Sequence, residues 1–283
     1  VERPNWRQLN LFRHLQPSLA LFVPQIATTV YLALNKTMLW QMDSLTAAGF
    51  YDYSDKLIKL VLALVTATGT VMLPHIANLF MKQQLERVKQ YLYMSFDFVL
   101  AIAIPMALGV AAVATTLAPL FFGRAFGAVD RLLMIEAPVI ILIGMSNVLG
   151  QQFLLPTKQT KTYTISVTIG ALVNIACNIP LIWFWGVAGA MCATLISEVC
   201  VTGYQLVVTR HTLATRQLFT ASLKYVLAGV IMFVVIYALN INMTASYLNL
   251  ALQIGIGALI YIGLLFLLQP PVLTNAAKLR TRM

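Results

Sequence analysis

Long apolar segments fill most of this chain, and short polar loops separate them. We count eight such segments, at about 16–42, 57–80, 92–121, 132–155, 163–185, 186–208, 220–240 and 247–269. Each is close to the roughly 20 residues that a helix needs to cross the hydrocarbon core of a bilayer. Because the backbone must satisfy its own hydrogen bonds in lipid, we expect these segments to be helical. With 60% apolar and only 10% charged residues, the sequence predicts an all-α, polytopic membrane protein with eight transmembrane helices.

The loops alternate between basic and nearly uncharged. Basic residues precede the first segment, occupy or flank every second loop and fill the tail: Arg3, Arg7, Arg13, Lys82, Arg87, Lys89, Lys158, Lys161, Arg210, Arg216, Lys224, Lys278, Arg280 and Arg282. The intervening loops are acidic at Asp43, Asp52 and Asp55, of mixed charge at Arg124, Asp130 and Arg131, or uncharged at the turn Trp185–Gly186 and over 240–247. Because Lys and Arg favour the cytoplasmic side of short loops, the pattern predicts that both ends of this chain lie in the cytoplasm. The net charge of +10 then reflects topology, and no nucleic-acid partner is expected.

Motifs for catalysis, metals and cofactors are missing from the sequence. The three cysteines lie in apolar segments and give neither a disulfide framework nor a zinc spacing. There is no nucleophile elbow, P-loop or zincin motif, so we predict neither an enzyme nor a bound cofactor. Any uphill transport would draw on an ion gradient, the membrane potential or consumption of the substrate downstream. Since the chain opens at Val1 on a polar, basic stretch, we expect it to be a piece of a longer protein.

Proline and small residues distinguish these segments from simple membrane anchors. The prolines within them include Pro24, Pro74, Pro105, Pro119, Pro138 and Pro180. Proline removes a helical hydrogen bond, and interrupted helices are common where a transporter lines a cavity. Small residues such as Gly186 and Gly189 let helices approach closely. The pattern favours a transporter, although helix packing alone explains any one of these residues equally well.

Lysines within the segments are the first candidate functional residues, because a charge at the helix centre costs about 2.5–3.5 kcal/mol on insertion scales. Lys36 leans toward the bilayer centre, which suits a cavity. Lys56 and Lys59 either snorkel to the interface or pair with the aspartates four residues before them. They also begin a stripe at helical spacing that would suit a polar cavity wall: Lys56, Lys59, Ala63, Thr66 and Thr70.

Other polar residues within the segments allow two interpretations each. Glu198, near mid-helix, either couples transport to an ion or makes a hydrogen bond between helices. Asn174 and Asn178, one turn apart, either bond across helices or line a path. His75 is either a head-group contact or an interfacial histidine. Asp97 and Glu136 are expected at the inner and outer interfaces.

Several strings in the chain resemble the oligosaccharide flippases of bacterial polysaccharide biosynthesis, which share a superfamily with multidrug extruders and lipid II flippases. The strings are PQIA at 24–27, LNKTML at 34–39, GFY at 49–51, GTVMLP at 69–74, NIACNIP at 174–180 and GVAGA at 186–190. The resemblance implies helices seven to fourteen of a two-lobe exporter fold. Residues 1–215 would form the six-helix second lobe, and residues 216–283 a final two-helix hairpin with a basic tail. The chain would then hold half of a central cavity.

The resemblance also implies a substrate and a site. The substrate would be an oligosaccharide linked to polyprenyl diphosphate, moved to the outer face of the bacterial cytoplasmic membrane for surface polysaccharide assembly. Partners would be this lipid-linked oligosaccharide, membrane lipids, a polysaccharide polymerase and its chain-length machinery. The substrate-binding candidates are Lys36, Asn35, Lys56, Lys59, Arg124, His75, Asn174 and Asn178, with Glu198 for ion coupling.

Two positions depart from the pattern that this resemblance implies. Asn35 stands where the family often has Asp, which would leave Lys36 freer for an anion. His75 stands where it often has Arg, and a histidine would hold phosphate only when protonated.

Three other functions remain open on the sequence. They are a lipid II flippase, a cation-coupled multidrug antiporter and a membrane-embedded glycosyl polymerase. A cation-coupled antiporter would need more buried carboxylates than this sequence contains. The polymerase would want a large outer loop, and the longest here is about 43–56.

Overall fold

The protein is built from helices, most of them long enough to cross a bilayer. The computed structural model describes residues Phe22, Ile26, Thr29, Val30, 33–123 and 126–273. The elements are α1 over residues 33–42, α2 (Leu45–Met81), α3 (Leu85–Phe122), α4 (Val129–Glu136), α5 (Val139–Ser146), a π-helix (Asn147–Leu154), α6 (Thr160–Thr209), α7 (Thr215–Leu218), α8 (Ser222–Asn242) and α9 (Tyr247–Leu268). Among these residues, six helical units have the length and apolar composition of a membrane span. The predicted all-α, multi-pass membrane architecture is confirmed.

The 50 residues of α6 form a hairpin of two antiparallel legs. Gly186 has φ 54° and ψ −130°, a backbone conformation that favours glycine and reverses the chain direction. Residues equally far from this turn touch across the hairpin: Gln205 Nε2 donates to Ser166 Oγ at 3.0 Å, and Gly170 leaves room for Val201. The legs, 160–185 and 187–209, are the fifth and sixth predicted segments. The predicted turn at Trp185–Gly186 is therefore confirmed.

Prolines in this chain have two different structural outcomes. Helices α2, α3 and α6 continue through Pro74, Pro105, Pro119 and Pro180, whereas Pro24 lies outside the described residues. At Pro138 the predicted fourth segment breaks, because α4 ends at Glu136 and α5 begins at Val139. The same segment ends in a π-helix of eight residues. Widened turns of this kind often occur at functional sites.

Exposed tryptophans mark one end of the bundle. Trp40, Trp183 and Trp185 are 58%, 78% and 62% exposed, and an added Cβ at Gly186 would meet Asp43 Oδ2 at 2.6 Å. These contacts place the α1–α2 turn beside the tip of the α6 hairpin. We call this the tryptophan end, since such residues collect at membrane–water interfaces. A group of basic residues in loops and helix ends lies at the opposite end: Lys82, Arg87, Lys89, Lys158, Lys161, Arg210 and Arg216.

The hairpin of α8 and α9 packs along α3, which carries much of the buried apolar core. Tyr225 donates to Asp97 Oδ1 at 2.8 Å, and Tyr261 donates to the Ala101 carbonyl at 2.9 Å. Nearer the tryptophan end, Asn240 donates to the Ala112 carbonyl at 3.0 Å and bonds with the hydroxyls of Thr115 and Thr116. Polar side chains therefore fix the register of two apolar surfaces. The division into units 1–215 and 216–283 stays a prediction.

Replacing Asn240 with Leu should loosen this docking. The change leaves the Thr116 hydroxyl without this partner in a buried interface, where an unsatisfied polar group costs about 1–3 kcal/mol, and it also removes the bond to the Ala112 carbonyl. We expect a lower melting temperature of the purified protein in detergent. Asn242→Leu is the matched control, because Asn242 is exposed and bonds to Ala238 of its own helix. Equal melting temperatures for the two variants would show that Asn240 does not hold the hairpin.

Candidate lysine site at the tryptophan end

The candidate site forms where α1 meets α2. A short turn joins these helices, and Ser44 caps α2 by accepting the Ala47 amide at 3.0 Å. Because the turn is so tight, the last turns of α1 lie beside the first turns of α2. This brings Lys36 against Asp52, although the two residues are 16 positions apart.

Three lysines surround two carboxylates at this site. Asp52 pairs with Lys36 through Oδ1 and with Lys56 through Oδ2, the latter at 2.6 Å. Lys59 pairs with Asp55 at 2.6 Å. The predicted pairing of Lys56 and Lys59 with aspartates four residues earlier is confirmed. Each ammonium carries three protons, so all three lysines keep donors for another anion.

The lysine side chains are accessible, whereas one acidic neighbour is not. The side chains of Lys36, Lys56 and Lys59 are 40%, 63% and 45% exposed. Glu136, which the sequence places near the outer interface, is 1% exposed, and its Oε2 has no hydrogen-bond partner in the described structure. It lies on α4, which packs against α2, within electrostatic reach of Asp55 and Lys59. Packing of α4 thus adds a buried carboxyl group behind the lysines.

The three candidate asparagines form a buried network instead of an open surface. Asn178 Nδ2 donates to Asn35 Oδ1 at 2.6 Å and to Asn174 Oδ1 at 2.9 Å. Asn35 Nδ2 donates to the Tyr51 hydroxyl at 2.8 Å and lies 3.4 Å from Thr194 Oγ1. All three asparagines are 0% exposed. The network joins α1, α2 and both legs of α6, and it holds Asn35, the chain neighbour of Lys36, in place. Direct contact of these amides with a substrate stays a prediction.

The sequence matches the protein family described as lipid II flippase MurJ over residues 8–256. The chain belongs to this family. It is 25% identical over 165 residues to the lipid II flippase MurJ of Bacillus subtilis (strain 168), covering 56% of this chain and 30% of that protein. It is 21% identical over 201 residues to the "Putative O-antigen transporter" of Shigella dysenteriae, covering 71% of this chain and 50% of that protein.

The fold agrees with membership of the MurJ family. A solved lipid II flippase MurJ in an inward closed conformation superposes with a TM-score of 0.72 at 23% identity, over 87% of this chain and 51% of that chain. The chain therefore spans about half, or less, of the length of these relatives. The predicted membership of the exporter superfamily is confirmed. Within it, the matching family is that of the lipid II flippases, which the sequence alone left as an alternative.

Two predicted substrate contacts in this MurJ-family chain lie away from the lysines or outside the described residues. His75 is exposed near the opposite end of α2, where its ring meets the Tyr91 ring edge-on at 4.5 Å. It is 19 residues from Lys56, or about 28 Å along the helix. Arg124 lies outside the described residues. The structure therefore joins Lys36, Lys56 and Lys59 in one site and separates His75 from it.

Glu198 lies on the wall of a cavity between α2, the π-helix region and both legs of α6. The cavity has a volume of about 290 Å³, and Glu198 is 7% exposed. Thr66 and Thr70, from the predicted polar stripe of α2, also line it. Their hydroxyls donate to carbonyls of their own helix, which leaves oxygen lone pairs available to the cavity. The carboxyl group of Glu198 thus has a polar space around it, and a role in ion coupling stays a prediction.

Sequence reasoning missed the polar side chains of the π-helix. Asn147 and Gln151 line the cavity, and Asn147 Nδ2 donates to Gln151 Oε1 at 3.0 Å. Gln152 accepts a bond from Ser95 at 2.6 Å and donates to Asn147 at 3.2 Å. The available signal was the presence of three amides, Asn147, Gln151 and Gln152, within an otherwise mostly apolar segment. This MurJ-family chain therefore has two polar regions, the exposed lysines and the cavity beside Glu198.

Proposed function

We propose that this chain forms part of a flippase that carries a polyprenyl-diphosphate-linked saccharide from the inner to the outer face of the bacterial cytoplasmic membrane. The observation that carries this proposal is the cluster of Lys36, Lys56 and Lys59 at the tryptophan end. A diphosphate needs several cations to leave water, and these three ammonium groups are close together and accessible. Membership of the MurJ family supports the same conclusion.

The physical steps required for such transport fit the positions of these groups. A sugar chain crosses hydrocarbon only through a polar passage, while the lipid tail can remain in the bilayer. An inside-negative potential favours outward movement of an anion by about 2.3 kcal/mol per charge per 100 mV. If the basic end faces the cytoplasm, as the loop charges predict, the lysines lie near the outer face and attract the diphosphate in that direction.

Lipid II is the first substrate to test, because the family is described as lipid II flippases. An oligosaccharide repeat unit on the same carrier is the second, supported by the likeness to the O-antigen transporter of Shigella dysenteriae. Both substrates share the diphosphate that the lysines would hold. They differ in the sugar, which would meet groups outside the lysine cluster.

The arrangement also suggests how the chain takes part in transport. We propose that it supplies one lobe, over 1–215, and a final hairpin, over 216–283, and that rocking against a second lobe exposes the site to each face in turn. Glu198 in its cavity is the candidate for coupling to an ion. The chain would act as a transporter and would pass its substrate to a polymerase at the outer face.

A rescue experiment tests the proposed function. The full-length gene is expressed in a bacterial strain depleted of its lipid II flippase, and in a second strain lacking its O-antigen flippase. We expect rescue of growth in the first strain, with lipid II no longer accumulating at the inner face. Rescue of surface polysaccharide only in the second strain would favour the oligosaccharide substrate. Failure in both strains, with the protein verified in the membrane, would contradict the proposal.

A further inference from the structure

Asp52 occupies the position between the two lysines that an anionic ligand would need. One of its oxygens pairs with Lys36 of α1 and the other with Lys56 of α2. Its side chain is 24% exposed, so this carboxylate can exchange with an anion from solution. A carboxylate that bridges two ammonium groups presents to them the same chemistry as one phosphate group of a diphosphate.

The two ion pairs of Asp52 differ in how easily they can separate. Lys56 and Asp52 are one turn apart on the same helix, so they stay neighbours even when helices of the bundle move relative to one another. Lys36 belongs to α1, and its contact with Asp52 joins two helices. Deeper in the bundle, Asn35 and Tyr51 join the same helices through a buried bond of 2.8 Å. Among the described residues, the Lys36–Asp52 pair is thus an accessible contact between α1 and α2, next to a buried one.

The neighbouring pair of Lys59 and Asp55 has a different character. Asp55 is 7% exposed in its side chain, and the buried Glu136 lies within electrostatic reach of both residues. A ligand anion could reach the Lys59 ammonium, but it could not easily replace a buried carboxylate. Competition between an internal and an external anion is therefore centred on Asp52.

We propose that Asp52 is an internal competitor for the ligand diphosphate, and that ligand binding releases Lys36 from Asp52 and so loosens α1 from the start of α2. This inference rests on the proposed function, because it deepens the role of the same lysines. The competition lowers the affinity of the site. A transporter benefits from that, since a site that binds too tightly does not let its substrate leave.

The first measurement compares ligand affinities in the full-length protein in lipid nanodiscs, with undecaprenyl diphosphate as the probe. Asp52→Asn removes the competitor and should tighten binding by about fivefold, the effect of losing one partly exposed ion pair. Asp52→Glu keeps a carboxylate and should bind as the native protein does. Asp43→Asn is the matched control, because it removes one exposed negative charge at the same end, from a residue that pairs with no lysine in the described structure.

The second measurement follows the distance between α1 and α2 with two spin labels. Exposed positions for them are Thr37 and Leu60, in a background where the three native cysteines are replaced by alanine. Adding undecaprenyl diphosphate to the otherwise native protein should lengthen or broaden the distance distribution. Asp52→Asn should show the changed distribution without ligand. Lys36→Gln should do the same, which keeps the test open if Asp52→Asn does not fold.

The outcomes separate this inference from the proposed function. If the native protein binds the probe no better than the double variant Lys36→Gln, Lys56→Gln, then the lysine site itself is wrong and the competitor with it. If the lysines matter but Asp52→Asn binds equally or more weakly, only the competitor role is overturned. If Asp43→Asn tightens ligand binding equally, the gain in affinity comes from removing any negative charge at this end, and the competitor role of Asp52 is also overturned. An unchanged label distance on ligand binding would overturn the release of α1.

Discussion

Replacing Gly189 with Val is expected to prevent the α6 hairpin from closing and to remove the protein from the membrane. An added Cβ at Gly189 would overlap the carbonyl group of Leu181 and lie 2.9 Å from the Ile182 nitrogen. These are backbone atoms of the opposite leg, so no side chain can rotate away. The cost should exceed the 1–3 kcal/mol that is typical of overpacking. Membrane abundance and the size-exclusion profile of a fluorescent fusion would measure the loss.

The same leg of α6 supplies a matched control for this prediction. An added Cβ at Gly203 would meet nothing within 4 Å. Gly203→Ala should therefore leave the protein unchanged or stabilise it by about 0.5–1 kcal/mol, because alanine is the better helix former. A stable, monodisperse Gly189→Val protein would mean that the legs do not pack as closely as described.

Closure of this hairpin also supports the lysine site. Asn178 on the first leg and Thr194 on the second both lie within the network around Asn35, next to Lys36 in the chain. Without close packing at Gly189, these two residues could not both reach α1. A substitution that opens the hairpin near its tip should therefore displace Asn35 and its neighbour Lys36, although the substituted residue does not contact the lysines.

Local signals in the sequence were sufficient to predict the helical class and the positions of most membrane-spanning segments. A helix that crosses a bilayer is fixed by length and composition, so the apolar segments were visible directly. The hairpin turn was predictable because Trp185–Gly186 lies at the boundary between two apolar segments that are each long enough to cross a bilayer. The ion pairs of Lys56 and Lys59 were also predictable, since residues four apart share a helix face.

Features that depend on packing between distant segments were not predictable. Nothing local to Lys36 indicates that Asp52, 16 residues later, is its partner. The resemblance suggested that Asn35 would leave Lys36 free, but the tight α1–α2 turn brings it an aspartate from the next helix. Glu136 was expected near the outer interface because it lies close to the start of the predicted segment 132–155, and only the packing of α4 against α2 shows that its side chain is buried. The helix breaks at Pro138 but continues through Pro74, and this difference likewise depends on packing against other segments, which the local sequence does not show.

The double variant Lys36→Gln, Lys56→Gln is expected to abolish transport while leaving the protein in the membrane. It removes both cations that share Asp52, so the site would present an unpaired carboxylate to an anionic substrate. Charge-assisted bonds contribute about 1.5–3 kcal/mol each, and two of them correspond to at least about a hundredfold loss. The full-length variant should fail to rescue a strain depleted of its lipid II flippase.

A lysine at the opposite end of the bundle provides the control for charge and for lost ion pairs. Lys89 pairs with Glu86 at 2.9 Å, one turn away on α3, and lies far from the tryptophan end. Lys89→Gln should rescue growth as the native protein does. Lys36→Arg with Lys56→Arg should keep partial function, because the charge remains but the flat guanidinium group needs a different geometry. Full rescue by the double glutamine variant, at native abundance in the membrane, would show that the diphosphate is held elsewhere, because no transport that depends on these two ammonium groups could survive their loss.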